Sequence, residues 1–246
     1  MNLIIVRREE LAPGNLAALE DGRARHIRTV LGAGPGATVR IGLLDGPLGL
    51  ATVARVEGER VVLNCVFEAD APPAPRLDLL LALPRPKVLG RLWAQLAALG
   101  VGRIVLVNAA RVERCYFDSH VLSPAFFTPR LIEGLQQARD TRLPEVLVRR
   151  RFRPFVEDEL DGLFPGSLRL AADPGGERRI GDSFPVADGA PPRVLLAVGP
   201  EGGWVPFELG LLRARGFALV GMGPRTLRAD TACIALLSLV AERLRA

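Results

Sequence analysis

The sequence predicts an α/β domain with a mainly parallel sheet, preceded by a small β-barrel domain. Short β-rich segments separated by glycine turns fill residues 2–67, which is typical of a small barrel. A proline-rich run at residues 71–75 then favours an extended backbone and indicates a linker. Beyond it, apolar strands alternate with helices, as in α/β folds. The predicted domains are therefore 1–72 and 73–246.

The elements of the predicted barrel come from apolar residues that alternate with polar ones. Val53 and Val56 stand among polar neighbours, and Gly46 and Gly58 mark turns between strands. A short helix over residues 22–31 would carry several basic side chains. The predicted strands cover residues 2–6, 38–44, 50–56 and 59–67.

The α/β domain begins with a predicted strand at residues 77–83, a mostly apolar run that is typical of a parallel strand buried on both faces. A helix over residues 87–99 follows, because Leu92, Leu96 and Leu99 share one stripe. Further strands are predicted at residues 103–107, 146–148, 168–172, 194–198 and 217–220. Further helices are predicted at residues 129–138, 155–163, 206–215 and 231–244, and a loop at residues 174–192.

The composition is that of a basic protein without a membrane span. The formal net charge is +5 and the pI is about 10.0, which fits a polyanionic partner such as nucleic acid. Lys87 is the only lysine, so an arginine-rich coding composition explains the charge equally well. The three cysteines are far apart, which predicts reduced thiols and no metal site. With no apolar run long enough for a signal peptide or a transmembrane helix, we predict a soluble cytoplasmic protein.

The first candidate ligand loop is the run GPEGGW at residues 199–204, directly after a predicted buried strand. Ligands of α/β sheets bind at the carboxyl ends of strands, and glycines let the backbone approach them closely. A tight turn without a ligand would use the same glycines. The loop is neither a Walker A sequence nor a GxGxxG fingerprint.

The second candidate loop is the run MGPRTLRADTA at residues 222–232, again between a predicted strand and a predicted helix. Asp230 or Thr231 is the predicted N-cap of that helix. Arg225 and Arg228 offer fixed donors for a phosphate or a carboxylate, although solvated arginines would look the same in the sequence.

Together, the two loops resemble the paired cofactor loops of the RsmE family, RNA methyltransferases of the SPOUT superfamily. Further resemblance lies at residues 26–36, 98–101, 111–114 and 137–144, so it covers nearly the whole chain. The chain departs from the family's residues at Gly32, Gln95, Ala98, Gln136, Asp140 and Asp230.

The resemblance implies a SPOUT-type parallel sheet with a C-terminal trefoil knot, preceded by a PUA-like β-barrel that binds RNA. It implies S-adenosylmethionine (SAM) as cofactor, a homodimer, no metal, and methylation of N3 of a uridine in the 16S ribosomal RNA of the small ribosomal subunit. The implied cofactor-binding residues are Ala172, Gly199, Gly202, Gly203, Gly221, Met222, Gly223 and Leu227.

Methylation of uridine N3 needs removal of the ring proton, so a carboxylate in one of the two loops is the expected base. Asp230 and Glu201 are the candidates, and Arg228 would stabilise negative charge on the uracil oxygens. The predicted phosphate contacts on the N-terminal domain are Arg7, Arg8, Arg25, His26 and Arg28.

Two other functions remain open on the sequence. The same fold could methylate another ribosomal or transfer RNA nucleotide, and mapping of modified bases separates that case. A non-catalytic RNA-binding factor for ribosome assembly would lack SAM binding, and the glycines kept in both loops count against it. An unrelated nucleotide-binding α/β protein is disfavoured, because the P-loop and the GxGxxG fingerprint are both missing.

Overall fold

A computed structural model of the chain describes residues 2–176, 178–184 and 192–245. The chain divides into two compact units. The first unit contains Met1–Ala74 and Arg130–Leu143, and the second contains Pro75–Pro129 and Pro144–Ala246. No helix in the described ranges combines the length and the apolar character that a bilayer crossing needs.

The first unit is built on one mixed sheet, which has six strands within the described residues. The strand order is β1-β4-β5-β6-β3-β2, in which β1 and β4 are parallel and the other neighbours are antiparallel. The turn between β5 and β6 contains Gly58, whose φ of 61° suits a tight hairpin. The strands are β1 Ile4–Val6, β2 Leu11–Ala12, β3 Leu16–Leu19, β4 Thr38–Leu43, β5 Leu48–Glu57 and β6 Arg60–Phe67.

The core of the first unit is formed by one face of this sheet and a short helical segment. Val61, Leu63 and Cys65 alternate along β6 and are buried, as the period of a half-buried strand requires. The predicted helix over residues 22–31 is α1 Gly22–Arg25 followed by a π-helical turn, His26–Val30, and its Ile27 packs into the same core. Strands β2 and β3 are absent from the sequence prediction, because β2 has only two residues and β3 is apolar at every position, so neither shows an alternation of apolar and polar residues.

Residues 130–143 belong to the first unit although they are distant from the rest of it in sequence. The amide of Asn2 donates to the carbonyl of Gln136 at 3.2 Å. The hydroxyl of Thr141 donates to the carbonyl of Gly46 at 2.6 Å, and Nε of Arg142 donates to the carbonyl of Pro72 at 2.7 Å. These bonds satisfy backbone groups that the sheet itself leaves free.

The second unit contains a parallel sheet, as predicted for the α/β domain. Its strand order is β12-β10-β11-β7-β8-β9, and every neighbouring pair is parallel. All residues of the central strands β7 and β11 are buried, which explains why the two strands are apolar apart from Asp78. The strands are β7 Leu77–Ala82, β8 Val101–Val107, β9 Glu145–Arg149, β10 Leu168–Ala172, β11 Val194–Val198 and β12 Ala218–Val220.

The five predicted helices of this domain occur in the predicted order, but some begin elsewhere, and the helical segment predicted at residues 155–163 is divided into shorter pieces. Pro129 lies inside its helix, which begins five residues before the predicted start, at Pro124. The predicted N-cap at Asp230 or Thr231 is wrong: Arg228 is in the cap position, and Asp230 lies in the first turn. The helices are α2 Pro86–Ala98, α3 Pro124–Ala138, α4 Phe152–Pro154, α5 Leu160–Leu163, α6 Pro206–Ala214 and α7 Ala229–Arg243, with a π-helical turn, Phe155–Glu159, joining α4 to α5. The predicted loop at residues 174–192 contains a 3-10 turn at Gly181–Ser183, and its residues 177 and 185–191 lie outside the described residues.

Candidate functional site

A pocket opens in the second unit where three adjacent parallel strands end. Ala172, Val198 and Val220 are the last residues of β10, β11 and β12, and all three line the pocket. This is the edge of an α/β sheet at which ligands bind. The cavity volume of the pocket is about 120 Å³.

Both glycine-rich loops contribute to this one pocket. Six of the eight predicted cofactor-binding residues line it: Ala172, Gly199, Gly203, Met222, Gly223 and Leu227. Five further residues of the same two runs also line it: Pro200, Arg225, Thr226, Ala229 and Ala232. The fold adds three further residues from outside both runs: Asp173, Pro174 and Leu236.

The other two predicted residues, Gly202 and Gly221, support the loops from behind. A Cβ atom at Gly221 would collide with the carbonyl oxygen of Gly176, so only glycine fits at this crossing of two backbone segments. A Cβ atom at Gly202 would lie 2.9 Å from Cδ of Arg111. Gly221 therefore allows two backbone segments to pack closely, whereas Gly202 leaves room for the side chain of Arg111. Neither residue lines the pocket.

The second loop presents backbone donors and apolar side chains at the pocket. The amides of Met222, Gly223 and Leu227 donate to no other backbone group among the described residues. The side chains of Met222 and Leu227 are partly exposed, at 36% and 38%. Gly223 has a φ of 92°, a conformation that side chains disfavour. The second loop can therefore contact a ligand that has both apolar and hydrogen-bonding parts.

A buried carboxylate ties the first loop to the loop that follows β8. Glu208, on the first turn of α6, is 3% exposed. Its Oε1 accepts from the amide of Ala110 at 2.7 Å, and its Oε2 accepts from the amide of Val205 at 2.9 Å. The guanidinium of Arg111 also donates to the carbonyl of Gly202. Glu208 is not among the residues predicted from the sequence, although an acidic residue at the third position of a helix is a known capping signal.

Trp204 fills the space beneath the first loop. The residue is 5% exposed, and its ring packs on Phe152 with 5.4 Å between the centroids. A Cβ atom at Gly199 would lie 3.1 Å from the indole nitrogen of Trp204, so this glycine lets the loop lie close over the indole. The buried indole N–H has no hydrogen-bond partner within the described part of the chain.

The three predicted catalytic side chains lie on the pocket loops but are not among its lining residues. Glu201 accepts a hydrogen bond from the amide of Arg85 at 3.3 Å, and Asp230 forms an ion pair with Arg91 at 3.3 Å. Arg228 is exposed at the start of α7. The start of α2 thus contacts both predicted carboxylates, an arrangement that no sequence pattern indicated.

The predicted RNA contacts lie on two segments of the first unit. Arg7, Arg8 and Arg25 are exposed, whereas His26 and Arg28 are half-buried. Arg25 and Arg28 line a small pocket together with three carboxylates, those of Glu20, Asp21 and Glu59.

A neighbouring arginine, Arg23, joins these two segments. Its guanidinium bonds Glu10 at 2.5 Å and Asp21 at 2.8 Å. The hydrogen bond from Arg23 lowers the pKa of Glu10 below its ordinary value, against the opposing effect of burial. Arg23 therefore has a structural role between the predicted RNA-binding segments.

The cysteines and acidic groups offer no alternative centre in the described ranges. No cluster of three or more His, Cys, Asp or Glu side chains with metal-binding geometry occurs among residues 2–176, 178–184 and 192–245. Cys65 and Cys233 are buried, and burial raises the pKa of their thiols to about 11 and about 12. Cys115 is exposed.

Comparison with known proteins identifies the family. Residues 72–241 match the model of the RNA methyltransferase domain family. Ribosomal RNA small subunit methyltransferase E of Treponema pallidum is 31% identical over 98% of this chain and 90% of its own length. Ribosomal RNA small subunit methyltransferase E 1 of Borreliella burgdorferi is 23% identical over 99% of both chains. The chain therefore belongs to the RNA methyltransferase family that contains these proteins, which confirms the predicted RsmE resemblance.

Solved structures share the fold. The ribosomal RNA small subunit methyltransferase E of Neisseria gonorrhoeae, bound to S-adenosyl methionine, superposes with a TM-score of 0.76 at 22% identity, covering 99% of this chain and 98% of that one. A methyltransferase of Legionella pneumophila, solved with SAM, gives a TM-score of 0.74 at 24% identity, covering 98% and 97%.

Proposed function

We propose that this chain is a SAM-dependent RNA methyltransferase that methylates N3 of a uridine in the 16S ribosomal RNA of the small ribosomal subunit. The observation that carries the proposal is the single pocket to which both glycine-rich loops contribute. Membership of the RNA methyltransferase family supports the reaction class. The names of the relatives from Treponema pallidum and Borreliella burgdorferi support the small subunit as the target.

The lining of the pocket suits the chemistry of SAM. The apolar side chains of Met222, Leu227 and Leu236 suit the apolar parts of such a ligand. Those amides of the second loop that donate to no described backbone group suit its polar groups. The bound cofactor would supply an electrophilic methyl group. We assign its binding to the eight predicted residues, with Gly202 and Gly221 acting through the close packing of the loops.

The chain's own residues would prepare the uridine. Because N3 lies on the pairing edge, the base must be unpaired or flipped when it reacts. Asp230 or Glu201 would remove the N3 proton, and the ion pair with Arg91 holds the Asp230 carboxylate in position. Arg228 would stabilise the negative charge on the uracil oxygens as the proton leaves.

The remaining parts of the proposal concern architecture and partners. We propose a SPOUT fold with a C-terminal trefoil knot in residues 73–246, and a PUA-like barrel in residues 1–72 that binds RNA through Arg7, Arg8, Arg25, His26 and Arg28. The mixed sheet of the first unit and the exposed arginines among these residues support the second assignment. We also propose a homodimer, and a ribosomal substrate agrees with the predicted cytoplasmic location.

The proposal is tested first by calorimetric titration of the protein with SAM. We expect binding by the wild type and its loss in Gly223→Val, because the valine would strain a loop that lines the pocket. Gly216→Val is the matched control: its φ of 79° imposes similar strain at the end of α6, outside the pocket lining.

Absence of SAM binding by the wild type at millimolar cofactor would overturn the proposal and favour a non-catalytic RNA-binding factor. Equal SAM affinity of Gly223→Val and the wild type would remove the pocket assignment. Mapping of methylated bases in ribosomal RNA from cells with and without the protein then identifies the nucleotide. A modified position other than an N3-methyluridine of 16S ribosomal RNA would contradict the proposed target.

A further inference from the structure

The second unit contains a second cavity, at the carboxyl ends of β8 and β9, that the proposed reaction does not use. Its volume is about 390 Å³. We call it the arginine groove and define it by six of its lining residues: Asn108, Arg114, Arg150, Arg151, Arg153 and Phe207. We propose that the arginine groove binds a single-stranded RNA segment, with phosphates on Arg114 and Arg151 and a base stacked on Phe207. The inference rests on the proposed function, whose RNA substrate it positions.

The charge of the groove favours a polyanion. The only acidic residue among its described lining residues is Glu208, and both oxygens of that carboxylate already accept backbone N–H groups. Arg150 pairs with Asp118 at 3.3 Å, and Arg153 pairs with Glu157 at 2.9 Å.

Arg114 and Arg151 differ from the other two arginines of the groove. Both are exposed, and neither forms an ion pair with a described residue. They are therefore available to neutralise phosphates without first breaking a contact within the protein.

An aromatic ring in the groove distinguishes RNA from a simple anion. Phe207, on the first turn of α6, is 58% exposed, which is unusual for a phenylalanine. A nucleobase can stack on such a ring whatever its sequence. The side-chain oxygen of Asn108 is buried and has no hydrogen-bond partner among the described residues, whereas its amide nitrogen donates to the carbonyl of Arg150. This oxygen can accept an N–H group of a base, which an inorganic phosphate lacks.

The arginine groove is separated from the cofactor pocket by one buried residue of the first loop. Gly203 lines the pocket, Val205 lines the groove, and Trp204 lies between them. A strand held in the groove would thus lie next to the loop that lines the cofactor pocket. This adjacency favours the RNA that carries the target base over an unrelated acidic protein.

The test measures binding of a labelled single-stranded oligouridine of about ten nucleotides to the full chain over a series of salt concentrations. For Arg114→Ala/Arg151→Ala we expect weaker binding and a salt slope that is smaller by about 1.4, because each lost phosphate contact removes about 0.7. Phe207→Ala should bind about 5- to 150-fold more weakly with an unchanged slope, and Phe207→Tyr should restore binding. The matched control is Arg213→Ala/Arg245→Ala, which removes two exposed arginines outside the groove.

The proposal is overturned if the wild type fails to bind oligouridine, or if the groove variants keep its affinity and salt slope. It is equally overturned if the control pair loses as much affinity as the groove pair, or if oligoglutamate competes as well as unlabelled oligouridine. SAM titration of the same proteins separates this proposal from the proposed function. If the wild type binds SAM and the groove variants bind RNA as the wild type does, only the proposal about the arginine groove is refuted. A wild type that does not bind SAM refutes the function itself.

Discussion

Arg228 shows how a single side chain can be tested apart from its structural surroundings. Its backbone is in the cap position of α7, but its side chain forms no capping hydrogen bond and is exposed. Truncation of this side chain therefore removes a group that could stabilise charge, but it removes no hydrogen bond that caps the helix.

We expect Arg228→Ala to lower kcat for methyl transfer to ribosomal RNA about 100- to 1000-fold, the cost of losing one donor to a developing anion. The affinity for SAM, measured by calorimetry, should stay that of the wild type. Arg213→Ala, an exposed arginine on α6, is the control and should keep full activity. Full activity of Arg228→Ala would show that another group stabilises the reacting base.

Glu208 is an acidic residue that is as buried as the apolar residues of the core. Its carboxylate accepts hydrogen bonds from backbone amides of two different loops. Removal of the carboxylate would therefore leave buried N–H groups without an acceptor. Glu208→Gln turns one acceptor into an NH₂ group that faces a backbone N–H. We expect the free energy of unfolding to fall by about 1–3 kcal/mol and SAM binding to weaken, because the first loop loses its support. Urea unfolding and calorimetry measure both effects, with the exposed Glu242→Gln as control; a Glu208→Gln protein as stable as the wild type would contradict the assignment.

The residues of the candidate site could be predicted only where a single short segment of sequence has a recognisable pattern. Gly199, Gly203 and Gly223 stand in recognisable loops directly after apolar strands. Arg111 comes from a distant segment after β8, and the parallel strand topology alone brings it to the first loop. No local pattern contains that information.

At the scale of elements, an ion pair connects the starts of β7 and β11. Asp78 is fully buried on β7, and its Oδ1 accepts from Nη2 of Arg193 at 2.7 Å, just before β11 begins. The hydrogen bonds from Arg193 to Asp78 raise the pKa of the guanidinium, against the effect of burial. Because β11 leads directly into the first loop, its position on β7 also determines where that loop begins.

We expect Arg193→Ala to lower the free energy of unfolding by about 3 kcal/mol. It would leave a buried carboxylate without its partner, and the partial exposure of the arginine places the effect at the lower end of the usual range. Arg153→Ala breaks an exposed ion pair instead and should lower the free energy of unfolding much less than Arg193→Ala. Denaturant unfolding compares the two variants; equal losses would mean that Asp78 finds another partner or becomes solvated.

The elements themselves were predictable to the extent that they are long and periodic. Strand β7 and helix α2 combine many buried apolar residues in the expected patterns. The two-residue strand β2 and the π-helical turn at His26–Val30 depend on tertiary contacts, and a short window of sequence shows neither. The start of α3 was misplaced because Pro129 resembles a first-turn proline but lies in the helix interior.

At the scale of the whole molecule, the two units respond to acid through different carboxylates. In the first unit the hydrogen bond from Arg23 lowers the pKa of Glu10. In the second unit the hydrogen bond from Arg169 lowers the pKa of Asp161, against burial, and Arg215 adds to the effect. A carboxylate with a lowered pKa contributes stability that is present above its ordinary pKa and is lost as the pH falls through the folded value.

We expect the free energy of unfolding of the wild type to fall below about pH 4.5, and Glu10→Gln to show a shallower decline because it lacks this titrating group. Urea unfolding from neutral pH to about pH 3 measures both slopes. Glu9→Gln, an exposed neighbour that forms no ion pair with a described residue, should follow the wild type. Parallel declines of Glu10→Gln and the wild type would show that Glu10 does not contribute.

The return of residues 130–143 to the first unit has a consequence for synthesis. A ribosome releases the chain from its amino end, so residues 1–74 emerge while their partners are still being translated. The carbonyls of Gly46 and Pro72 then lack the donors that Thr141 and Arg142 later provide. The first unit can be completed only after β7, β8 and α3 have been translated. The strands of its sheet are therefore synthesised well before residues 130–143, which complete the unit. A truncated transcript that stops after the linker would encode a fragment with open backbone acceptors.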